Sequence, residues 1–369
     1  MGPFSEGEED RASVAAERRR GRGAVSNRSG RFEATARVPV NDGWEGEADA
    51  PPVKREVMID RSRRVIVKQT SPDIPFDRSI NPYRGCEHGC VYCFARPTHA
   101  FLGLSPGLDF ETKILVKPDA PERLDEELRA KGYRCRPIAI GTNTDPYQPI
   151  EKERRVMRGI LEVLQAHRHP VTIVTKGALV TRDADVLGEM GRAGLARVAV
   201  SLTTMDGRLS RGMEPRCASP KQRLRAIRVL AEAGCPVGAL VAPVVPALTD
   251  HEIEALLEAA AEAGAGFAGY VMLRLPLEVK DLFEEWLREH VPDRAERVMN
   301  RVRELRGGRA NDPRFGTRMS GEGVWADLVR RRFSIAAKRL GLDEGRGEPL
   351  RCDLFRPPPR AGDQLSLGL

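Results

Sequence analysis

The stretch RGCEHGCVYCFAR, residues 84–96, places three of the seven cysteines of the chain within eight positions. Cys86, Cys90 and Cys93 follow the spacing C-x3-C-x2-C, and a loop of this length can turn three thiolates toward one small centre. Three unrelated buried cysteines are the least favoured interpretation of such a density in a chain with so few others. The spacing therefore predicts a metal centre, which the surrounding fold must position.

Two kinds of metal centre agree with three clustered cysteines. A structural zinc site needs a fourth ligand, and His88 and His99 are the candidates for that position. A cubane iron–sulfur cluster normally takes four cysteines, so a cluster held by three has one iron open to a small molecule. The residues alone leave both kinds of centre open.

Composition predicts a globular protein of one or two domains. The chain has 369 residues, of which 41% are hydrophobic, so it can bury a large core. No apolar run approaches the length of a membrane span, and the first thirty residues are charged, so we expect neither secretion nor membrane insertion. An odd number of cysteines favours a reducing compartment, and we expect a cytoplasmic protein. The formal net charge of +7 is a weak indication of polyanionic partners.

The chain divides by composition into four segments. Residues 1–55 lack apolar periodicity and are rich in Arg, Glu, Gly and Ser, so we expect a disordered tail. Residues 56–277 alternate strand-like and helix-like runs and form the predicted core domain. Helical pattern without strands follows over 278–345, and a flexible tail is expected over 346–369.

Six short runs rich in Val, Ile or Leu are strand candidates. Their composition is that of strands buried on both faces, and helix-like segments with recognisable ends lie between them. Ser219 and Pro220 suit the N-cap and first position of one helix, and Thr249 and Glu252 have capping-box spacing for another. Such repeats predict an α/β fold with a parallel sheet, either a barrel or a doubly wound sheet. The six candidates are 112–116, 137–141, 171–176, 197–203, 236–242 and 269–275.

The cysteine loop resembles the C-x3-C-x-aromatic-C loop of the radical S-adenosylmethionine (SAM) superfamily, with Tyr92 as the aromatic residue. The resemblance implies an α/β fold built as a partial (β/α) TIM-like barrel, with the loop after its first strand, and with a helical C-terminal extension. It also implies that Cys86, Cys90 and Cys93 hold a 4Fe–4S cluster, that SAM fills the open iron and that Tyr92 helps to seat SAM. In that superfamily one electron cleaves SAM to methionine and a 5′-deoxyadenosyl radical, which abstracts hydrogen from a substrate.

A second motif narrows the resemblance. The segment GTNTDPYQPIE, residues 141–151, is similar to the S/T-D-P…E segment of the branch related to spore photoproduct lyase. There it receives the amino group of SAM, which implies that Thr144 and Asp145 are contacts; the simpler interpretation is an Asp-Pro turn. Lys176 and Ser201 end the next two predicted strands, where the active-site residues of a barrel collect. The resemblance implies that Lys176 meets the SAM carboxylate and Ser201 the ribose or carboxylate side.

A third segment, GMEPRCASPKQRLRAI at residues 212–227, is also similar to a segment of this branch. It makes Glu214 a predicted residue of the site edge. Cys217 lies in the same polar loop and is the candidate hydrogen donor, because the lyase uses a dedicated cysteine for that step. Since Cys217 lies in no segment that matches the lyase donor, the substrate stays open. A DNA lesion is the first hypothesis, ahead of RNA or protein modification.

The last six residues, QLSLGL, resemble the peptide by which bacterial DNA polymerases and repair factors bind the sliding clamp. Gln364 would hydrogen-bond in one pocket, and Leu367 and Leu369 would fill an apolar one. A frayed terminus is the simpler interpretation. With basic segments such as 301–309, the peptide suggests DNA as a partner. A radical SAM enzyme would also need a low-potential electron donor such as flavodoxin or ferredoxin.

Three interpretations of the chain therefore stand. The first is a radical SAM enzyme, either a lyase of DNA repair or an enzyme that modifies RNA or protein. The second is a zinc-stabilised nucleic-acid-binding protein, and the third is a cluster-bearing adaptor that has lost catalysis. Metal content separates the first from the second, and SAM cleavage separates it from the third.

Overall fold

A computed structural model describes residues 13–33, 51–343 and 349–359. Within these residues the chain forms strands β1 to β10 in sequence order. Their bounds are Glu56–Ile59, Val67–Lys68, Arg78–Ile80, Tyr83–Arg84, Lys113–Val116, Ile138–Ile140, Val171–Thr175, Ala196–Ser201, Val237–Val244 and Phe267–Met272.

The described helices α1 to α11 surround these strands. Their bounds are Leu108–Thr112, Ala120–Leu128, Glu151–Arg154, Val156–Ala166, Ala184–Arg192, Gly207–Met213, Pro220–Glu232, Ile253–Glu262, Val279–His290, Pro292–Glu304 and Val324–Arg339. None of them is both long and apolar enough to cross a membrane.

The main sheet has seven strands in the order β10-β9-β8-β7-β6-β3-β2. Every neighbouring pair from β3 to β10 is parallel, and β2 runs antiparallel beside β3 at one edge. Parallel neighbours need crossover connections, and helices α4 to α8 lie in the crossovers between β6 and β10. The carboxyl ends of the six parallel strands therefore lie at one edge of the sheet, where ligands of such sheets bind.

These strands confirm the mixed α/β fold with a parallel sheet. Five of the six strand candidates are β6 to β10, and α9, α10 and α11 follow β10 as the expected helical extension. Because β2 and β10 are the two edges of the described sheet, it is open. Its curvature into a partial barrel and the domain boundaries drawn above stay predictions.

The candidate at 112–116 is a strand, but it does not belong to the main sheet. It forms β5, which pairs with β1 and β4 in a separate three-stranded sheet. The first parallel strand of the main sheet is β3, and only the short strand β4 separates it from the cysteines. Composition did not indicate β3, because a strand of three residues is too short to show a periodic pattern.

The two predicted helix starts have different outcomes. Ser219 caps α7 in a complete capping box, and Pro220 is its first residue. The prediction of a capping box at Thr249 and Glu252 is wrong, because α8 begins at Ile253 after a short 3-10 turn. The Glu252 carboxylate instead accepts hydrogen bonds from Thr204 and Met205, in the loop after β8.

Part of the N-terminal segment is ordered, so the disorder expected over residues 1–55 is wrong for 13–33. The backbone N–H groups of Gly23 and Ala24 donate to the Glu111 carboxylate at 2.9 and 2.8 Å. A Cβ atom on Gly23 would lie 1.8 Å from the carbonyl oxygen of Gly89, in the cysteine loop. The segment therefore passes the loop at a distance that only glycine allows. Amino-acid composition did not predict this contact, because on the side of the N-terminal segment it is made by backbone groups, which every residue has.

The structure does not describe the candidate clamp-binding peptide. Gln364, Leu367 and Leu369 lie outside the described residues. Binding to a sliding clamp stays a prediction from the sequence.

We expect Gly23→Ala to release residues 13–33 from the cysteine loop, because the new methyl group overlaps the Gly89 carbonyl. The measurement is limited trypsin digestion of the full chain, and cleavage near Arg22 should become faster than in the parent protein. Gly21→Ala is the control, since a Cβ atom there meets no atom within 4 Å and adds only the strain of a left-handed residue. Equal cleavage of the two variants would show that this contact does not hold the segment.

Candidate active site

A buried ion pair supports the cysteine loop from behind. The guanidinium of Arg96 and the carboxylate of Glu111 are both fully buried, with 2.6 Å between Nη2 and Oε1. Arg96 also donates to four backbone carbonyls, those of Gly89 at 3.1 Å, Cys90 at 2.9 Å, Pro106 at 3.1 Å and Gly107 at 2.9 Å. Arginine suits this position because its donors form a rigid planar fork.

The same carboxylate connects the loop to the N-terminal segment. Glu111 accepts from Arg96 on one side and from the backbone of Gly23 and Ala24 on the other. The start of the loop is fixed separately, since the Cys86 N–H donates to the Phe110 carbonyl at 2.9 Å. Sequence reasoning missed Arg96 and Glu111, because neither residue type nor spacing shows that positions so far apart form a buried pair.

The cysteine loop forms one wall of a cavity of about 250 Å³ at the carboxyl edge of the main sheet. The wall is mostly apolar and includes Val174, Leu240 and Leu273. Eight residues that were predicted from the sequence line this cavity together: Cys86, Cys90, Cys93, Tyr92, Thr144, Asp145, Lys176 and Ser201. They come from four separate segments of the chain, which the parallel sheet brings to one edge.

The carboxylate of Asp145 already has several donors around it. Oδ2 lies 3.3 Å from His88 Nδ1 and accepts from the Lys176 N–H at 2.7 Å, and Oδ1 accepts from Thr175 and from the Tyr147 N–H. Burial alone would raise the pKa of Asp145, but His88 and these donors lower it to about 2. Asp145 is therefore an anion whose position is fixed by the ends of two strands and by the cysteine loop. This geometry gives it the role of holding the cysteine loop, through His88, against the ends of the strands.

His88 is buried and stays cationic beside this carboxylate. Burial lowers its pKa, but Asp145 and Cys86 outweigh that effect and raise it well above the ordinary value. The sequence had offered His88 only as a zinc ligand.

Lys176 supplies a buried positive charge to the cavity wall. Its Nζ atom lies 5.8 Å from the ring centroid of Tyr92 and 3.5 Å from the Ala242 carbonyl oxygen. Burial lowers the pKa of the ammonium group, yet the Glu214 carboxylate and Cys90 raise it above the usual value. The group is therefore charged and is suited to a carboxylate ligand.

Ser201 and Thr144 are buried at the carboxyl ends of β8 and β6, the two strands on either side of β7. Ser201 is the last residue of β8, and its carbonyl accepts from Arg223 at 3.1 Å. The Thr144 hydroxyl donates to the Tyr83 carbonyl at 3.0 Å, which ties the turn after β6 to β4. Both residues lie at the cavity wall, and their contact with SAM stays a prediction.

Glu214 lies behind the cavity wall rather than at its edge. Its carboxylate accepts hydrogen bonds from Tyr92, from Thr203 at 2.7 Å and from Arg223. Burial would raise the pKa of Glu214, but Arg223 and Lys176 lower it to about 2. Burial and the Glu214 anion raise the pKa of Tyr92 well above its ordinary value, so Tyr92 stays a protonated donor. Glu214 is thus a positioning residue for Tyr92 and an electrostatic partner of Lys176.

Cys217 lies beside a predicted cluster ligand. Its Sγ atom is 3.6 Å from that of Cys90, and this hydrogen bond lowers the pKa of Cys90 despite burial. Neither Cys217 nor Glu214 is among the described residues that line the cavity. The predicted role of Cys217 as hydrogen donor therefore has no support from its position.

The thiols of the loop fit a cationic centre of several metals. Burial and the neighbouring thiols Cys90 and Cys86 raise the pKa of Cys93 to about 12, so three buried thiolates need a positive centre among them. No group of three His, Cys, Asp or Glu side chains in the described ranges converges on a single metal ion. An iron–sulfur cubane holds each cysteine through a different iron, so its ligands do not converge on one point.

The two histidines that a zinc site would use have other partners. His88 is paired with Asp145, and His99 Nε2 lies 3.0 Å from the Lys113 carbonyl oxygen. Burial lowers the pKa of His99 to about 4, so its ring is neutral and serves as a packed core residue. These contacts favour the cluster over the zinc site.

Comparison with known proteins places the chain in a family. The model of the radical SAM superfamily matches residues 80–260. An uncharacterised protein of Mycobacterium tuberculosis is 40% identical over 234 residues, which cover 63% of this chain and 68% of the relative. An uncharacterised protein of Methanocaldococcus jannaschii is 26% identical over 224 residues, which cover 60% of this chain and 80% of the relative. This chain belongs to the radical SAM superfamily, whose members are enzymes and whose cofactors are SAM and an iron–sulfur cluster.

Solved structures show the same fold. Spore photoproduct lyase complexed with dinucleoside spore photoproduct is similar with a TM-score of 0.57 and 16% identity, over 77% of this chain and 79% of that chain. A variant of the lyase with bound AdoMet and dinucleoside spore photoproduct gives a TM-score of 0.56 at 16% identity, over 77% of this chain and 78% of that chain. At this level of identity the likeness concerns the fold alone.

We expect Arg96→Met to lower the free energy of unfolding by about 3–5 kcal/mol, because it leaves the buried Glu111 charge without its partner. Urea unfolding of the full chain measures this change. Arg123→Gln is the matched control, since it removes an exposed arginine that pairs with Asp119 and Glu126 and should leave the unfolding midpoint unchanged. A midpoint for Arg96→Met equal to that of the control would contradict the proposed support of the loop.

Proposed function

We propose that this protein is an enzyme that binds a 4Fe–4S cluster through Cys86, Cys90 and Cys93 and reductively cleaves SAM to start hydrogen abstraction. One observation carries the proposal: the three thiols and the five predicted SAM contacts line one cavity. When bound, the cluster would supply the electron that cleaves SAM to methionine and a 5′-deoxyadenosyl radical.

The residues of the cavity would bind and orient SAM. The Lys176 ammonium would pair with the SAM carboxylate, because it is cationic, buried and without a carboxylate in direct hydrogen-bond contact among the described residues. Ser201, at the end of β8, would meet the ribose or carboxylate side. Thr144 and Asp145 would place the turn after β6 against the amino group. The apolar wall formed by Val174, Leu240 and Leu273 excludes water from the reacting atoms.

For the substrate we propose a lesion in DNA. The chain has the fold of spore photoproduct lyase, whose solved complex contains dinucleoside spore photoproduct. The cavity wall also carries Arg274, whose guanidinium lies 5.1 Å from the ring centroid of Phe94. Burial and the neighbouring Arg318 lower the pKa of Arg274. An anionic group such as a phosphate would therefore stabilise its charged guanidinium. RNA and protein substrates are the alternatives.

Cys93→Ala is expected to abolish 5′-deoxyadenosine formation, because two thiolates do not hold the cluster. The assay adds SAM and dithionite to anaerobically reconstituted protein and separates the products by liquid chromatography. Cys235→Ala is the matched control, since it also removes a buried thiol but lies in the main core, and it should keep activity. Activity in Cys93→Ala equal to that of the control would refute the assignment of the cluster ligands.

Lys176→Met should weaken SAM binding roughly 10- to 100-fold, the usual effect of losing one charge-assisted hydrogen bond. Equilibrium dialysis with labelled SAM measures the dissociation constant on the cluster-loaded protein. Lys221→Met removes an exposed lysine from α7 and should leave that constant unchanged. An unchanged constant for Lys176→Met would exclude Lys176 as the carboxylate contact.

A further inference from the structure

The C-terminal helices and the start of α8 enclose a second cavity, of about 400 Å³. It is separate from the reaction cavity and has a different chemistry, because arginines dominate its lining. We call it the arginine pocket and define it by Arg294, Arg297, Arg301, Arg332, Trp325 and Asp250. Nothing in the radical chemistry described above uses these residues.

The formal positive charge of the chain is concentrated in the segment that supplies most of the pocket lining. Residues 292–339, which are all described, contain thirteen Arg and Lys and six Asp and Glu, a balance of +7. The formal net charge of the whole chain is also +7, so the rest of the chain is balanced. A charge gathered on one region attracts a polyanion to that region.

Two of the four arginines are available to a ligand. Arg294 and Arg297 are exposed on α10 and have no ion-pair partner among the described residues. The other two are held in place: Arg332 forms two hydrogen bonds with Glu254, and the guanidinium of Arg301 lies 4.8 Å from the ring centroid of Trp325. The pocket thus combines two free cations with an ordered aromatic wall.

Two buried polar atoms of the pocket lack hydrogen-bond partners within the described ranges. They are the indole Nε1 of Trp325 and the carboxylate Oδ2 of Asp250, a residue that is only 4% exposed. A buried polar group without a partner is destabilising, so both atoms indicate a ligand that supplies an acceptor and a donor. The edge of a nucleobase has both kinds of group, and an amino group of a base donates to carboxylates.

The arginine pocket is connected to the reaction cavity by short pieces of chain. Ala242 and Pro243 at the end of β9 line the reaction cavity, and Asp250 follows a few residues later. On the other side, Arg306 lies just beyond α10 and donates to the carbonyl of Leu273, which also lines the reaction cavity. The segments that line the two cavities are therefore joined to each other on both sides.

We propose that the arginine pocket binds a nucleotide of a single-stranded nucleic acid, a neighbour of the nucleotide that enters the reaction cavity. Arg294 and Arg297 bind backbone phosphates, Trp325 Nε1 donates to the base and Asp250 accepts from it. The nucleic acid is single-stranded, because the edge of a base can enter a concave pocket only when that base is unpaired. The proposal rests on the proposed function only in taking nucleic acid as the substrate.

The test measures binding of a fluorescein-labelled single-stranded oligo(dC) by anisotropy at several salt concentrations, with full-length, cluster-loaded protein. The double variant Arg294→Gln/Arg297→Gln should bind more weakly, and the slope of log K against log salt should become shallower by about 1.4, since each lost phosphate contact contributes about 0.7. Trp325→Phe, which keeps the ring but removes the N–H donor, should weaken binding without changing the slope. A duplex of the same length should bind more weakly than the single strand.

Arg225→Gln/Arg228→Gln is the matched control, because these exposed arginines have the same spacing on α7 and lie outside the pocket. The control should bind like the parent protein. Equal losses in both double variants would show binding by overall charge and would overturn the proposal, as would tighter binding of the duplex. Cleavage of SAM without nucleic acid, assayed on the same preparations, tests the proposed function separately, so either idea can fail alone.

Discussion

The buried pair of Arg96 and Glu111 is the contact on which the site depends. The cysteine loop is irregular backbone in the interior, and its carbonyl groups have no sheet or helix to satisfy them. Arg96 satisfies two carbonyls of the loop, and two of residues 106 and 107, with one rigid group. Glu111 neutralises Arg96 and also fixes residues 23 and 24 on the far side. Breaking this pair would therefore disturb the loop, the N-terminal segment and the wall of the cavity together.

The parallel sheet then determines what faces the loop. Each of its strands ends at the same edge, so side chains far apart in sequence meet there. The anions Asp145 and Glu214 both have cationic partners, His88 and Arg223, and both have low pKa values. Lys176 and Arg274 are cations at the wall of the cavity. This separation of charges suits a cavity that takes a ligand with both a carboxylate and an amino group, as SAM has.

The sequence predicted the parts of the site that depend on local pattern. The spacing of the three cysteines and the polar residues at strand ends are properties of short segments, and the structure brings eight of these residues to one cavity. Contacts between separate segments could not be predicted from the sequence. They include the ion pair of Arg96 with Glu111 and the close approach of Gly23 to the cysteine loop. The same reason explains the capping box that did not form, because the carboxylate expected to cap α8 is used by the loop after β8.

The most direct test is the iron and acid-labile sulfide content of the full chain purified without oxygen. The account predicts about four iron and about four sulfide per chain, as a cubane cluster requires. It also predicts loss of both in a variant in which Cys90 is replaced by alanine. About one zinc per chain without sulfide would contradict the account, because the loop would then be a structural metal site and the cavity beside it would have no electron source.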